Sequence, residues 1–262
     1  MKTILFTNAR DENNIKEWAA HHLLIGFDNI IIFDHKSKIP INHILYSFDN
    51  RIKVFQCEMD GPIKITCMKL AVKLAKRYNA TWMLYLDADE FLCLNKWKGV
   101  KQMLSFFPHF DSVAINWLMF GSNYLINDPS GLLLENYTKS DEIINKHVKS
   151  FVRPNKVQNV TNPHFFVIYN SLKMGNVFNK QMISPHFCFN DYNGLHWTAP
   201  AYIAHYVYQS EETYTKRKIL LPSDDTNTMR QKDNDIHKHH NEITNETLKN
   251  NYAENVRLFL NK

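Results

Sequence analysis

The sequence predicts an α/β fold built on a doubly wound, mostly parallel sheet, and three observations predict it. Short β-prone runs alternate with stretches of helical periodicity through roughly the first ninety residues. Two of the runs, Ile30-Ile31-Ile32-Phe33 and Trp82-Met83-Leu84-Tyr85-Leu86, are continuously apolar, the pattern of strands covered on both faces. Both stop on polar residues that can do chemistry, Asp34-His35 and Asp87-Ala88-Asp89. An open α/β sheet places its ligands at such strand ends.

The elements follow in order. Residues 2–7 read as a strand, and residues 11–26 as a helix, because Ile15, Trp18, Ala19, His22 and Leu23 recur at helical spacing. That spacing turns His22 inward as a packed, hydrogen-bonded side chain. The apolar run at 30–33 is the second strand. A second unit repeats the theme with a strand at 52–57, a helix at 63–78 and a strand at 82–86. The pattern then loosens into a helix at 97–107, a strand at 112–117 and a glycine turn at Phe120-Gly121-Ser122. Short strands at 149–153, 165–169 and 202–208 precede helices at 211–220 and 242–260. With no linker rich in Pro, Gly or Ser, the chain reads as one domain: a nucleotide-binding half (1–92), an irregular acceptor-side half (93–225), and a polar segment with a terminal helix (226–262).

Composition narrows the function. The chain has 262 residues, 44% hydrophobic and 22% charged, enough for a sizeable core. Only 7 glycines are present, and neither a dinucleotide-binding fingerprint nor a P-loop occurs. Phosphate must therefore be held by something other than a glycine-rich backbone cradle. The net charge of +5 is spread along the chain, which argues for solvation rather than a nucleic-acid surface. Cys57, Cys67, Cys93 and Cys188 show no metal-like spacing and read as reduced thiols. No stretch approaches a membrane span, so a soluble, cytoplasmic protein without a transmembrane anchor is expected.

Asp87 and Asp89 stand two apart at a strand end, so both side chains can project into the crevice. Two close carboxylates invite a hard divalent cation, Mn²⁺ or Mg²⁺, that would bridge them to a diphosphate. Asp233-Asn234-Asp235 repeats the spacing in a polar stretch with no strand before it and reads as a solvated loop. His237, His239 and His240 have a spacing that does not converge easily on one ion. Lys149 and Arg153, on one face of a short strand, are candidates for donor phosphates.

Around this pair the sequence resembles the GT-A glycosyltransferases related to families 2 and 92. The resemblance is carried by Asn8-Ala9-Arg10-Asp11-Glu12-Asn13, Glu17-Trp18, His22, Gly26-Phe27-Asp28, Phe33-Asp34 and Leu86-Asp87-Ala88-Asp89-Glu90-Phe91. It continues through Trp117, Phe120-Gly121-Ser122, Lys149 to Pro154, His164, His205-Tyr206, Ser210-Glu211-Glu212 and Lys216. It implies a GT-A fold and metal-dependent, inverting transfer of a sugar from a nucleotide-diphosphate donor, most simply a UDP-sugar. The acceptor would be a glycan, a lipid-linked saccharide or a protein. It also implies that Ala9, Arg10, Glu12 and Asp34 contact the nucleotide, that Asp87 lies near ribose and metal, and that Asp89 binds the metal. His205 is the first choice for a further ligand and His164 the second. Inversion needs a carboxylate base, for which Glu135 and Asp225 are candidates, with Asp191 behind them. Lys64-Ile65-Thr66-Cys67 departs from the glutamine that relatives often carry there. Two other classes remain open: a metal-dependent nucleotidyl or phosphoryl-transfer enzyme, and a non-catalytic sugar- or nucleotide-binding module.

Overall fold

The computed structural model describes residues 1–182 and 194–262; Cys188 and Asp191 lie outside them. The elements in order are β1 (Thr3–Ala9), α1 (Ile15–Leu24), β2 (Asn29–Asp34), α2 (Ile41–Ile44), β3 (Ile52–Gln56), α3 (Lys64–Arg77), β4 (Trp82–Tyr85), β5 (Glu90–Leu94) and α4 (Val100–Ser105). After these come β6 (Ser112–Met119), α5 (Leu133–Asn136), β7 (Lys139–Ser140), β8 (Val148–Val152), β9 (Val157–Asn159), β10 (Val167–Ile168) and β11 (Met174–Asn176). The chain closes with β12 (Ala201–His205), α6 (Glu211–Tyr214), β13 (Ile243–Thr244) and α7 (Glu254–Leu260).

Among the described residues the main sheet runs β3-β2-β1-β4-β8-β6-β12-β5, with β11 added on β6. The pairs β1–β2, β2–β3, β1–β4, β6–β12 and β6–β11 are parallel. Antiparallel pairing enters through β8 and β5. Both faces of the central strands are covered, and their residues divide by alternation. Leu5, Ile30, Ile32, Trp82 and Leu84 join one core with Trp18, Leu23 and Val100. Ile4, Phe6, Ile31, Phe33, Met83 and Tyr85 join the other with Met68, Ala71 and Ala75 of α3. The apolar runs therefore lie in a mostly parallel, doubly covered sheet, as a period of two buried on both sides requires.

Strand order reverses between β1 and β4, so the carboxyl ends of these two strands border a crevice. Asp87 and Asp89 follow the strand end as expected: β4 ends at Tyr85, the aspartates occupy the turn after it, and β5 begins at Glu90 to pair antiparallel with β12. One expectation fails here. The terminal helix does not start at 242. Ile243 and Thr244 pair with β7, and Asn245 Nδ2 donates to Ser140 Oγ at 3.3 Å, so this stretch is held extended. The glycine turn has a packing cause, since a Cβ on Gly121 would stand 2.5 Å from the His240 carbonyl oxygen. Cys57, Cys67 and Cys93 are free and buried. Among the described residues no helix is long and apolar enough to cross a membrane.

Candidate active site

The Asp87–Asp89 turn and the Glu90 that closes it are held by four hydrogen bonds. The Glu90 carboxylate accepts the Asp87 N–H at 2.8 Å, and the Glu90 N–H donates to the Asp87 carbonyl at 3.0 Å. Trp18 Nε1 on α1 donates to the Glu90 carbonyl at 2.8 Å, and the Tyr206 N–H donates to the Asp89 carbonyl at 2.9 Å. Asn8, next to last in β1, accepts from the Tyr85 hydroxyl at 2.9 Å and donates to Asp224 at 2.6 Å. The Asp224 carbonyl in turn accepts the Ile63 and Lys64 N–H groups at 3.0 and 3.2 Å, at the start of α3. Those N–H groups have no partner within the helix, so the segment around Asp224 is drawn across the crevice as their acceptor.

Charges crowd this crevice. Asp87 is bonded to Lys64 and lies 3.3 Å from Lys149 Nζ. Asp89, 2% exposed, meets Lys218 at 2.9 Å, Arg217 at 3.4 Å and His205 Nε2 at 3.7 Å. Burial works to raise both carboxyls, but Lys149 and Lys64 outweigh it at Asp87, and Lys218 with His205 and Arg217 at Asp89. Both aspartates are therefore held below their ordinary range and ionised. Their neighbours go the other way. Burial pushes Glu12 to about 7 despite its bond to Arg217, and Glu90 to about 8 despite Lys149 at 3.6 Å. Burial also lowers His205 to about 4, against the pull of Asp89, and leaves its imidazole neutral.

Three cavities adjoin over the strand ends. The central one, about 90 Å³, is lined by Asn8, Arg10, Lys64, Asp87, Asp89 and Asp224 among others. Glu12, Arg217 and Leu221 are shared with a chamber of about 640 Å³ bounded by Asp11, Ser37, Ile39 and Ile44 beyond β1 and β2. On the other side Asp87, Lys218, Asp225 and Arg230 are shared with a chamber of about 410 Å³ walled by Trp117, His164, His205, Tyr208 and Tyr214. The crevice is thus one groove with a mixed end, a charged middle and an aromatic end.

The structure brings Ala9, Arg10, Glu12, Asp87, Asp89, Lys149, His164, His205 and Asp225 to this groove. Three candidates lie elsewhere. Asp34 is fully buried and accepts from Ile41 N at 2.8 Å, Ser37 N at 3.3 Å and Gln56 Nε2 at 3.2 Å, so its carboxylate shapes the loop after β2. Arg153 follows β8, which runs antiparallel to β4. It therefore sits at the opposite sheet edge, 4.3 Å from the Trp82 ring centroid and 3.6 Å from Asp111. Glu135 pairs with Arg257 on α7. His22 is packed as expected, its Nδ1 on the Trp18 carbonyl at 2.8 Å. His237, His239 and His240 separate onto Glu211, Asp233 and Asp141. Arg217, Lys218, Asp224 and Arg230 carry no role in the sequence reading, and Lys64 enters it only as a departure from the glutamine of relatives. The run Lys216-Arg217-Lys218 is the signal for two of them, and it reads equally well as a solvated helix face.

A divalent ion held by Asp87, Asp89 and His205 needs those donors turned on one point. Among the described residues no group of three His, Cys, Asp or Glu side chains is arranged to hold a metal. Asp87 and Asp89 instead bind four protein cations, Lys64, Lys149, Lys218 and Arg217. This donor set does not fit a resident Mn²⁺ or Mg²⁺.

The buried acids set a pH dependence of stability. Glu12, Glu17 and Glu90 keep protons in the folded chain above the ordinary value of 4.5, to about 7, 7 and 8, so each loses stabilisation as pH rises through that window. His21, His164 and His205, lowered from 6.5 to about 4, lose theirs as pH falls through theirs. Above pH 6.5 the glutamates act alone. The melting temperature is expected to decline from pH 6.5 to about 8, and Glu90→Gln to flatten the upper part of the decline. Circular-dichroism melts across that range test this, and a rising curve would contradict it.

No family model matches the chain, and no curated protein matches it significantly. Among solved structures it is similar to S. aureus TarS 1-349, at 19% identity over 59% of this chain and 47% of that one, with a TM-score of 0.40. The same fragment has been solved in complex with UDP. It is also similar to HddC from Yersinia pseudotuberculosis complexed with GMP-PN, at 10% identity over 67% of this chain and 90% of that one, with a TM-score of 0.37. The chain spans about half the length of the TarS fragment. At such scores no activity is transferred from either protein.

Proposed function

We propose that this chain is a GT-A-type glycosyltransferase that moves a sugar from a nucleotide-diphosphate donor to an acceptor hydroxyl. The observation that carries the reading is the row of three adjoining cavities at the β1–β4 switch point. A nucleoside occupies the mixed chamber beyond β1 and β2. Its diphosphate lies among the charges beside Arg10, Lys64 and Lys218. The sugar and acceptor lie toward Trp117 and Tyr208, where flat apolar rings beside hydrogen-bonding side chains suit a saccharide.

Asp225 lines both the charged and the aromatic cavity and is assigned as the base. It takes the proton from the acceptor hydroxyl as that oxygen bonds to the anomeric carbon. The bond from the anomeric carbon to the phosphate oxygen breaks, and its electron pair leaves with the nucleoside diphosphate. One displacement of this kind inverts the anomeric centre. Cations around the groove meet the charge that grows on the leaving diphosphate.

Incubation with a panel of nucleotide sugars and nucleoside triphosphates tests the reading, with UDP-sugars first. Release of a nucleoside diphosphate from one nucleotide sugar is expected. Pyrophosphate release from a triphosphate would replace the reading with nucleotidyl transfer, and binding without turnover of any donor would replace it with a binding module.

A further inference from the structure

The charged middle of the groove carries two unsatisfied guanidinium donors. Arg10 Nε and Arg217 Nε are buried without a hydrogen-bond partner among the described residues, and both side chains line the central cavity. Buried N–H donors are rarely left unpaired, and an anion in this small polar cavity would give both an acceptor. Lys64 and Lys218 line the same cavity, and each already faces a carboxylate of the Asp87–Asp89 turn. Arg217 and Lys218 belong to the basic turn Thr215–Ile219 that follows α6. Asp89 and Glu12 fix that turn against the sheet.

We propose that the donor diphosphate is clamped by Arg10 and Arg217, with Lys64 and Lys218 beside them, and that the clamp works without a divalent ion. The inference rests on the donor reading above. A guanidinium presents several N–H groups in a fixed fork, so Arg217 can keep Glu12 and Asp89 on its Nη2 while its Nε–H meets phosphate. Asp89 in this arrangement is a positioning residue: it holds Arg217 and Lys218 at the cavity instead of ligating a metal.

The test is calorimetric titration of the full chain with UDP and with GDP, in EDTA and again with Mn²⁺. One nucleotide is expected to bind in EDTA within about 3-fold of its affinity with Mn²⁺, and Lys218→Met to weaken it by roughly 10-fold, with Lys218→Arg restoring most of the loss. Arg217→Met is expected to weaken binding at least as much. The wild-type comparison needs no variant, so it decides the matter even where Arg217→Met fails to fold. Binding that requires Mn²⁺ and vanishes in EDTA overturns the metal-free clamp and leaves the donor reading standing. Absence of binding by either nucleotide under both conditions overturns the two together.

Discussion

Replacing Asp225 by Asn is expected to slow sugar transfer by roughly 100-fold or more while nucleoside-diphosphate affinity stays within a few-fold of wild type. Asp225 is exposed at the boundary of the charged and aromatic cavities, where an acceptor hydroxyl has to approach the anomeric carbon. Asparagine keeps the size and removes the proton acceptor, so the loss falls on turnover rather than on donor binding. Glu135, the other candidate base, is committed to Arg257, and Glu135→Gln is expected to leave turnover near wild type. Steady-state rates and titrations on both variants check this. Near wild-type turnover in Asp225→Asn would remove Asp225 from the role.

Glu17→Ala is expected to produce the largest loss of stability of any single substitution discussed. The Glu17 carboxylate, 4% exposed, accepts the Leu133 N–H at 2.7 Å and the Leu134 N–H at 2.9 Å. It thereby ties α1 to α5, across more than a hundred residues of chain. Alanine leaves two buried N–H groups unpaired, at about 1–3 kcal/mol each. At roughly 2–4 °C per kcal/mol for a chain near this size, the melting temperature should fall by on the order of 10 °C. Glu17→Gln, which keeps one acceptor oxygen, should lose clearly less. A thermal melt of Glu17→Ala within about 2 °C of wild type would show that these bonds contribute little to stability.

Glu17 also shows what a sequence reveals and what it withholds. The pair Glu17-Trp18 stands out as a motif, yet its two tasks, accepting the Leu133 and Leu134 amides and donating from Trp18 to the Glu90 carbonyl, depend on residues some seventy or more positions away. The strands β1, β2 and β4 are legible because burial on both faces writes itself as local apolar runs. β5 is not, because Phe91-Leu92-Cys93-Leu94 becomes a separate strand only through antiparallel pairing with Ala201–His205. Burial separates the fates of charged candidates as well. Asp34 and Lys149 look alike in sequence, each a charge beside an apolar run, but Asp34 finds backbone N–H groups around it and Lys149 finds Asp87 and Glu90. The aspartate pair is legible as carboxylates at a strand end. Its partners are not, because Lys64 and Lys218 reach it from α3 and from the turn after α6, a convergence made only by the fold.

A crystal structure of the chain with UDP is the decisive measurement. The diphosphate is expected in the cavity lined by Asn8, Arg10, Lys64 and Lys218, with the nucleoside extending toward Asp11, Ser37 and Ile44. A nucleotide bound away from the carboxyl ends of β1 and β4, or one with its base against Trp117 and Tyr208, would contradict that placement.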